Sequence, residues 1–302
     1  MKAKRLRVNV VSLIQKLEII LRVLVDTQII SRYRSVFKGK GLEFEDYRAY
    51  TTQDDASRID WKASVRSNQL LVKLFREERE LDVYILLDAS SSMIFGSTEK
   101  LKLEYAAEVA AAFSFFVLEA GDKAGLVMFN DKIVKIIPTS VGKKHFQIIL
   151  HSLVNPKFYG GSYNLQNALN FIMKISRQRG LVIIVSDFIG MEKGWEDALK
   201  LASVKFDVIG IMVRDPRDEI LPEDDVGQVV IQDPYSDSAL LIDPKKIRDL
   251  YEEYVRKEEE KLQRAFINSN ADLIKLSTKE PFIRPLIEYF IMRRARACKY
   301  GV

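Results

Sequence analysis

Residues 83–96 read VYILLDASSSMIFG: an apolar run that ends in one aspartate and three consecutive serines. Two later stretches have the same character. GGSYNLQNAL (160–169) places Ser162 on a glycine-rich turn that opens a helix, and LVIIVSD (181–187) releases Asp187 after a buried strand. Asp88, Ser90, Ser92, Ser162 and Asp187 together offer only oxygen. Oxygen donors without His or Cys favour a hard cation, Mg²⁺ or Mn²⁺, and Mg²⁺ takes six oxygens at about 2.1 Å. Hydroxyls two residues apart can face one centre while the residue between them turns away. Glycines 160 and 161 let the backbone come close.

Other chemistries find less support. His145 and His151 are six residues apart, which suits neither a zinc pair nor a catalytic dyad, and the single Cys298 excludes an internal disulfide and a cysteine cage. Gly39 and Gly41 lack the following Lys-Ser/Thr of a phosphate loop and the third glycine of a dinucleotide fingerprint. The net charge of +5 comes largely from KAKRLR (2–7) and RRARACK (293–299), which read as solvated arms rather than a nucleic-acid surface.

The elements that must hold these residues follow from the pattern. With 47% hydrophobic and 29% charged residues the chain can bury a large core. Residues 8–25 carry apolar positions 10, 13, 14, 17, 20, 21 and 24 opposite Gln15, Glu18 and Arg22, an amphipathic helix rather than a membrane span or signal peptide. The chain is therefore expected to be soluble and cytoplasmic. Residues 31–66 read as turn-rich and charged, followed by a strand at about 70–74. In DDASRIDWK (54–62) the expectation is a structural knot, with Arg58 pairing Asp55 or Asp60 and Trp61 packed beneath.

From residue 81 strands and helices alternate. Apolar strands are expected at LDVYILL, AGLVMF, KIVKII, LVIIVSD and FDVIGIMV, and helices near 100–120, 143–153, 164–177 and 195–203. A short hairpin (228–233 with 239–243), a charged helix (245–267), an edge strand (271–278) and a closing helix complete the reading. Uninterrupted apolar strands alternating with helices predict an α/β doubly wound, mainly parallel sheet covered on both faces. Ligands of such sheets bind beyond the carboxyl ends of the strands, where distant loops converge.

At these residues the chain resembles known families. DASSS, GGSYNLQNAL and IIVSD are similar to the three parts of the metal-ion-dependent adhesion site of von Willebrand factor A domains, with Ser162 standing where that family usually has Thr. Residues 35–96, with Asp-Asp-x-x-x-Ile-Asp-Trp at 54–61, together with DPRDEILPEDD (215–225) and the C-terminal helix, resemble the domain-of-unknown-function-58 family over roughly 35–296. The resemblance implies a von Willebrand factor A-like domain over 81–302, preceded by an N-terminal helix and β-containing extension over 1–80. It implies metal held directly by Ser90, Ser92 and Ser162 and largely through water by Asp88 and Asp187. It also implies a protein partner, a MoxR-type AAA+ ATPase or its client. Many members carry N-terminal membrane spans that this sequence lacks. The expectation is a metal-dependent protein-interaction module, not an enzyme. The alternatives are a Mg²⁺-dependent phosphoester hydrolase, for which no clear general base is present, and a metal-free scaffold.

Overall fold

The computed structural model describes residues 43–51, 54–76, 80–222, 227–236 and 238–300. The amphipathic segment 8–25 lies outside the described residues. The extension consists of β1 (Glu43–Ala49), a helix α1 (Trp61–Ser67) and β2 (Leu71–Arg76), with β1 and β2 antiparallel. Asp60 caps α1 by accepting from the Lys62 and Ala63 N–H groups, and it also accepts from the Tyr47 hydroxyl of β1 at 3.0 Å. Ser64 of α1 accepts from the Leu71 N–H at 2.8 Å, so one helix ties both strands together.

The segment read as turn-rich thus contains a strand and a helix. EFEDYRA has no clean alternation, and β1 forms because β2 supplies a partner. At 54–62 the expected packing of Trp61 is corrected, while the Arg58 side chain lies outside the described residues. Asp54 pairs with Arg48 of β1 and accepts from the Thr51 N–H and hydroxyl. Asp55 caps a one-turn 3-10 helix through the Ser57 N–H. Trp61 is 64% exposed rather than packed underneath.

The remainder is built on six strands: β3 (Asp82–Asp88), β4 (Lys123–Phe129), β5 (Ile133–Ser140), β6 (Gly180–Ser186), β7 (Phe206–Arg214) and, later in the chain, β10 (Asp272–Ser277). Their spatial order is β10-β7-β6-β3-β4-β5, all parallel except β5, which returns from β4 through a tight turn. Helices α2 (Lys102–Glu119) and α3 (Lys143–Leu153) follow β3 and β5. Helices α4 (Leu165–Ile175) and α5 (Trp195–Lys205) flank β6, and the short α6 (Pro216–Glu219) follows β7. A two-stranded hairpin, β8 (Val229–Gln232) and β9 (Ala239–Ile242), then leads into α7 (Pro244–Asn268), β10 and α8 (Ile283–Tyr300).

Each central strand serves two cores. Val83, Ile85 and Leu87 of β3 pack with α2, α3 and α8, whereas Tyr84 and Leu86 pack with the side of α4, α5 and α7. That two-sided burial is why these strands are apolar without interruption. The sheet approaches α7 closely at Gly210, where a Cβ would lie 2.5 Å from the Phe266 ring. Helix α2 is buried along most of its length, and its alanines let it sit flat on the sheet; its buried Glu108 is neutralised by Lys100 at 2.7 Å. No helix of the described residues is long and apolar enough to cross a membrane.

Candidate functional site

In the strand order above, β3 and β6 are neighbours whose connections leave in opposite directions: β3 leads toward β4, β6 toward β7. A crevice opens at such a reversal beyond the carboxyl ends, because the two crossover helices lie on opposite faces. Asp88 is the last residue of β3, and Asp187 follows the last residue of β6. Both are fully buried.

Local structure then orients each group. Asp88 accepts from the Ser90 N–H at 2.8 Å and from the Ser186 hydroxyl at 2.7 Å, which ties the end of β3 to the end of β6. Beyond Asp88 the chain enters a single 3-10 turn, Ser91–Met93, with Ser90 as its N-cap. This turn brings the hydroxyls of Ser90 and Ser92 to 3.1 Å from each other, both buried, while Ser91 points elsewhere. Ser91 instead fastens the glycine loop: its hydroxyl accepts from the Gly161 N–H at 3.0 Å and its own N–H donates to the Gly161 carbonyl at 2.9 Å. The Gly160 N–H donates to the Ala89 carbonyl at 2.7 Å. Both glycines have positive φ, and at Gly161 a Cβ would lie 2.7 Å from Nδ2 of Asn130. Only glycine lets this backbone reach the serine turn.

Ser162 sits on this loop, exposed, between Gly161 bound to Ser91 and Tyr163, whose buried hydroxyl lies 3.2 Å from that of Ser186. The three stretches singled out in the sequence therefore meet at one edge of the sheet. The loop after β6 is held in an unusual conformation. Phe188 has φ +53, and it is kept there by its N–H donating to Ser186 and by edge-on packing against Phe266.

Three participants carry no sequence signal of their kind. Lys102, in the first turn of α2, is 1% exposed and donates to Asp187 at 2.7 Å and to Asp218 of α6 at 2.9 and 3.1 Å. Tyr235, from the β8–β9 turn, lies with its ring against Gly190 and its hydroxyl 3.5 Å from Ser90, donating to the Ile189 carbonyl at 2.9 Å. Ser186 bridges Asp88, Tyr163 and Phe188. The one available hint for Lys102 is that it begins a helix too apolar to have a solvent face.

The electrostatics are those of a site short of positive charge. Asp187 and Asp218 share one ammonium, that of Lys102, and Asp88 is held by hydrogen bonds from Ser90 and Ser186 instead. Burial, and then the neighbouring Asp187 charge, push Asp88 up to about 7, despite its hydrogen bonds from Ser186 and Ser90. Burial likewise raises Asp218, against the pull of Lys102, and the two carboxylates raise Lys102 against its own burial. Among the described residues no three His, Cys, Asp or Glu side chains form a metal-binding group. A cation here would rest on hydroxyls, with carboxylates behind them. Two buried carboxylates beside two buried hydroxyls 3.1 Å apart fit a hard cation of that kind.

Comparison with known proteins assigns the family. The profile described as "Protein of unknown function DUF58" matches residues 46–261. The chain belongs to the DUF58 family. The match covers most of the β1–β2 extension and five of the six strands of the main sheet. An uncharacterized protein of Mycobacterium tuberculosis, Rv1480, is 28% identical over 94% of this chain and 90% of its own length. YeaD of Bacillus subtilis, also uncharacterized, is 33% identical over 35% of this chain and 24% of its own length. Among solved structures, BatB from Bacteroides thetaiotaomicron is 15% identical, with a TM-score of 0.45 over 72% of this chain and 99% of that one. The SpRpn10 VWA domain is 12% identical, with a TM-score of 0.39 over 70% of this chain and 95% of that one. The von Willebrand factor A-like fold of this DUF58 chain is read from its own strand order, its single antiparallel strand and its helices on both faces.

Proposed function

We propose that this chain is a metal-dependent protein-interaction module. Asp88, Ser90, Ser92, Ser162 and Asp187 would hold Mg²⁺ or Mn²⁺ at the carboxyl edge of the sheet, the serines directly and the aspartates mostly through water. A cation held by neutral hydroxyls keeps most of its charge, so it offers an electrophilic position to a carboxylate from another protein. The partner class is a MoxR-type AAA+ ATPase or its client, encountered in the cytoplasm. The observation that carries this reading is the convergence of two buried carboxylates and two paired hydroxyls at the sheet's reversal point, with too little positive charge to balance them.

A hydrolase reading gains little from the geometry. His145 is engaged with the Ala124 carbonyl at 2.7 Å, on the second residue of β4 and so at the opposite end of the sheet from Asp88. Two clefts elsewhere, one at α5 and α7 around Glu196 and Lys261 and one around Tyr105 and Phe282, are lined by none of the five residues.

The test is capture of a MoxR-type ATPase by the purified chain, with and without a chelator, alongside Asp187→Ala. Capture that is lost with chelator and with the substitution, and restored by Mg²⁺ or Mn²⁺, is the expected result. Capture indifferent to both sinks the reading, and Mg²⁺-dependent turnover of a generic phosphoester would put the hydrolase in its place.

A further inference from the structure

Lys102 has no place in the five-residue set, yet it forms a buried ion pair with one of the five. Its ammonium lies 2.7 Å from Oδ2 of Asp187, and the other oxygen of Asp187 accepts from the Ile189 N–H at 2.9 Å. Both oxygens are thus engaged and the carboxylate cannot turn. The lysine is in turn fixed from behind. Both oxygens of Asp218 accept from it, and Asp218 is itself anchored as the third residue of α6, where it accepts from the Asp215 N–H at 2.9 Å. The Phe95 ring covers the ammonium from another side, 5.7 Å away. One carboxylate would balance the buried ammonium, so the second leaves the cluster with excess negative charge and holds the lysine in place from both sides. The arrangement is one cation clamped between one carboxylate at the proposed metal site and one outside it.

The consequence concerns how Asp187 can treat a metal. A free carboxylate beside Ser90 and Ser92 would ligate a divalent cation directly and neutralise half of its charge. An Asp187 held by an ammonium and a backbone N–H has its strongest acceptor directions taken. We propose that Lys102 is a positioning residue that holds Asp187 off direct ligation, so that the cation on the serines keeps its charge for a partner's carboxylate. The inference rests on the metal-dependent reading above. It exchanges intrinsic metal affinity for electrophilicity, because the ammonium also repels the divalent ion across a buried, weakly screened distance.

The test uses Mn²⁺ alone, measured by isothermal titration on the full chain. Lys102→Met combined with Asp218→Asn removes one charge of each sign and leaves no buried carboxylate stranded by the loss of the lysine except Asp187, which is then free to ligate. Lys102→Gln is made in parallel as a second route to the same release, and far-UV circular dichroism melts establish that each variant is folded. The expected result is Mn²⁺ binding tighter than wild type by about tenfold or more, the scale of one lost charge–charge repulsion near a protein surface. Because loss of the ammonium's repulsion would by itself tighten binding, Lys102→Gln is also made on an Asp187→Asn background: a gain that requires the Asp187 carboxylate is expected, and an equal gain without it overturns the positioning role. Wild-type binding of Mn²⁺ with equal or weaker binding by the folded variants overturns this inference and leaves the metal site standing. Failure of wild type and variants alike to bind Mn²⁺ overturns the metal-dependent reading itself, and this inference with it.

Discussion

Ser186 shows how much of the site depends on a residue that no motif marks. Its hydroxyl donates to Asp88 and accepts from the Phe188 N–H, and it also lies 3.2 Å from the Tyr163 hydroxyl. One atom thereby links the strand that ends in Asp88, the loop that carries Asp187 and the residue after Ser162. Removing it strands a buried carboxylate oxygen and a buried N–H whose φ is already unfavourable. Ser186→Ala should therefore lower unfolding free energy by about 1–3 kcal/mol, the usual penalty for unsatisfied buried groups. Urea denaturation checks this, and a loss under half a kilocalorie would mean that the loop is not held by this hydroxyl. That the stretches around Asp88, Gly161 and Asp187 would meet was legible because polar residues released after buried apolar strands of a parallel sheet gather at its carboxyl edge. Ser186, Lys102 and Tyr235 were not, since a serine ending a strand, a lysine in a helix's first turn and a tyrosine in a hairpin turn each have ordinary surface roles. Only the meeting of distant segments gives them another.

At the scale of elements, legibility followed burial. The two-sided strands and the helices that cover them fell within a residue or two of expectation, as at LVIIVSD, where β6 spans Gly180–Ser186. The extension did not, because its order comes from polar contacts between neighbouring segments rather than from hydrophobic period. Asp54 is the clearest case. Its pair with Arg48, and then bonds from Thr51, hold its carboxyl well below the usual carboxylate range. A carboxylate depressed in the folded state contributes stability above its unfolded value near 4, and loses that contribution as pH falls toward its folded value. Asp54→Asn should thus destabilise the chain at pH 7, and the gap from wild type should close as the pH is lowered through 4 and below. Parallel urea titrations at pH 7 and pH 3 test it; a gap of equal size at both would show that the Arg48–Asp54 pair does not hold the loop through charge.

The whole molecule explains why residues a hundred positions apart share a site. Alternation of strands and helices announces a parallel sheet, but it does not announce that β6 lies beside β3 rather than beyond β5. That order places the ends of β3 and β6 side by side, with α2 on one face and α4 and α5 on the other. Asp88 and Asp187 are brought together by the sheet's reversal, and the rest of the fold is the frame that buries them. Burying like charges costs stability in the absence of a compensating cation. A divalent ion that binds the folded chain and not the unfolded one stabilises it by mass action, about 2.7 kcal/mol at one hundred times the dissociation constant. Saturating Mg²⁺ or Mn²⁺ should therefore raise the melting temperature by several degrees for a chain of this size, about 2–4 °C for each kilocalorie. Asp88→Ala should melt at the same temperature with or without the ion, because the carboxylate at the end of β3 is gone. Equal metal-induced shifts in wild type and Asp88→Ala would place any bound cation elsewhere on the molecule, and the sheet's reversal point would then be a structural junction alone.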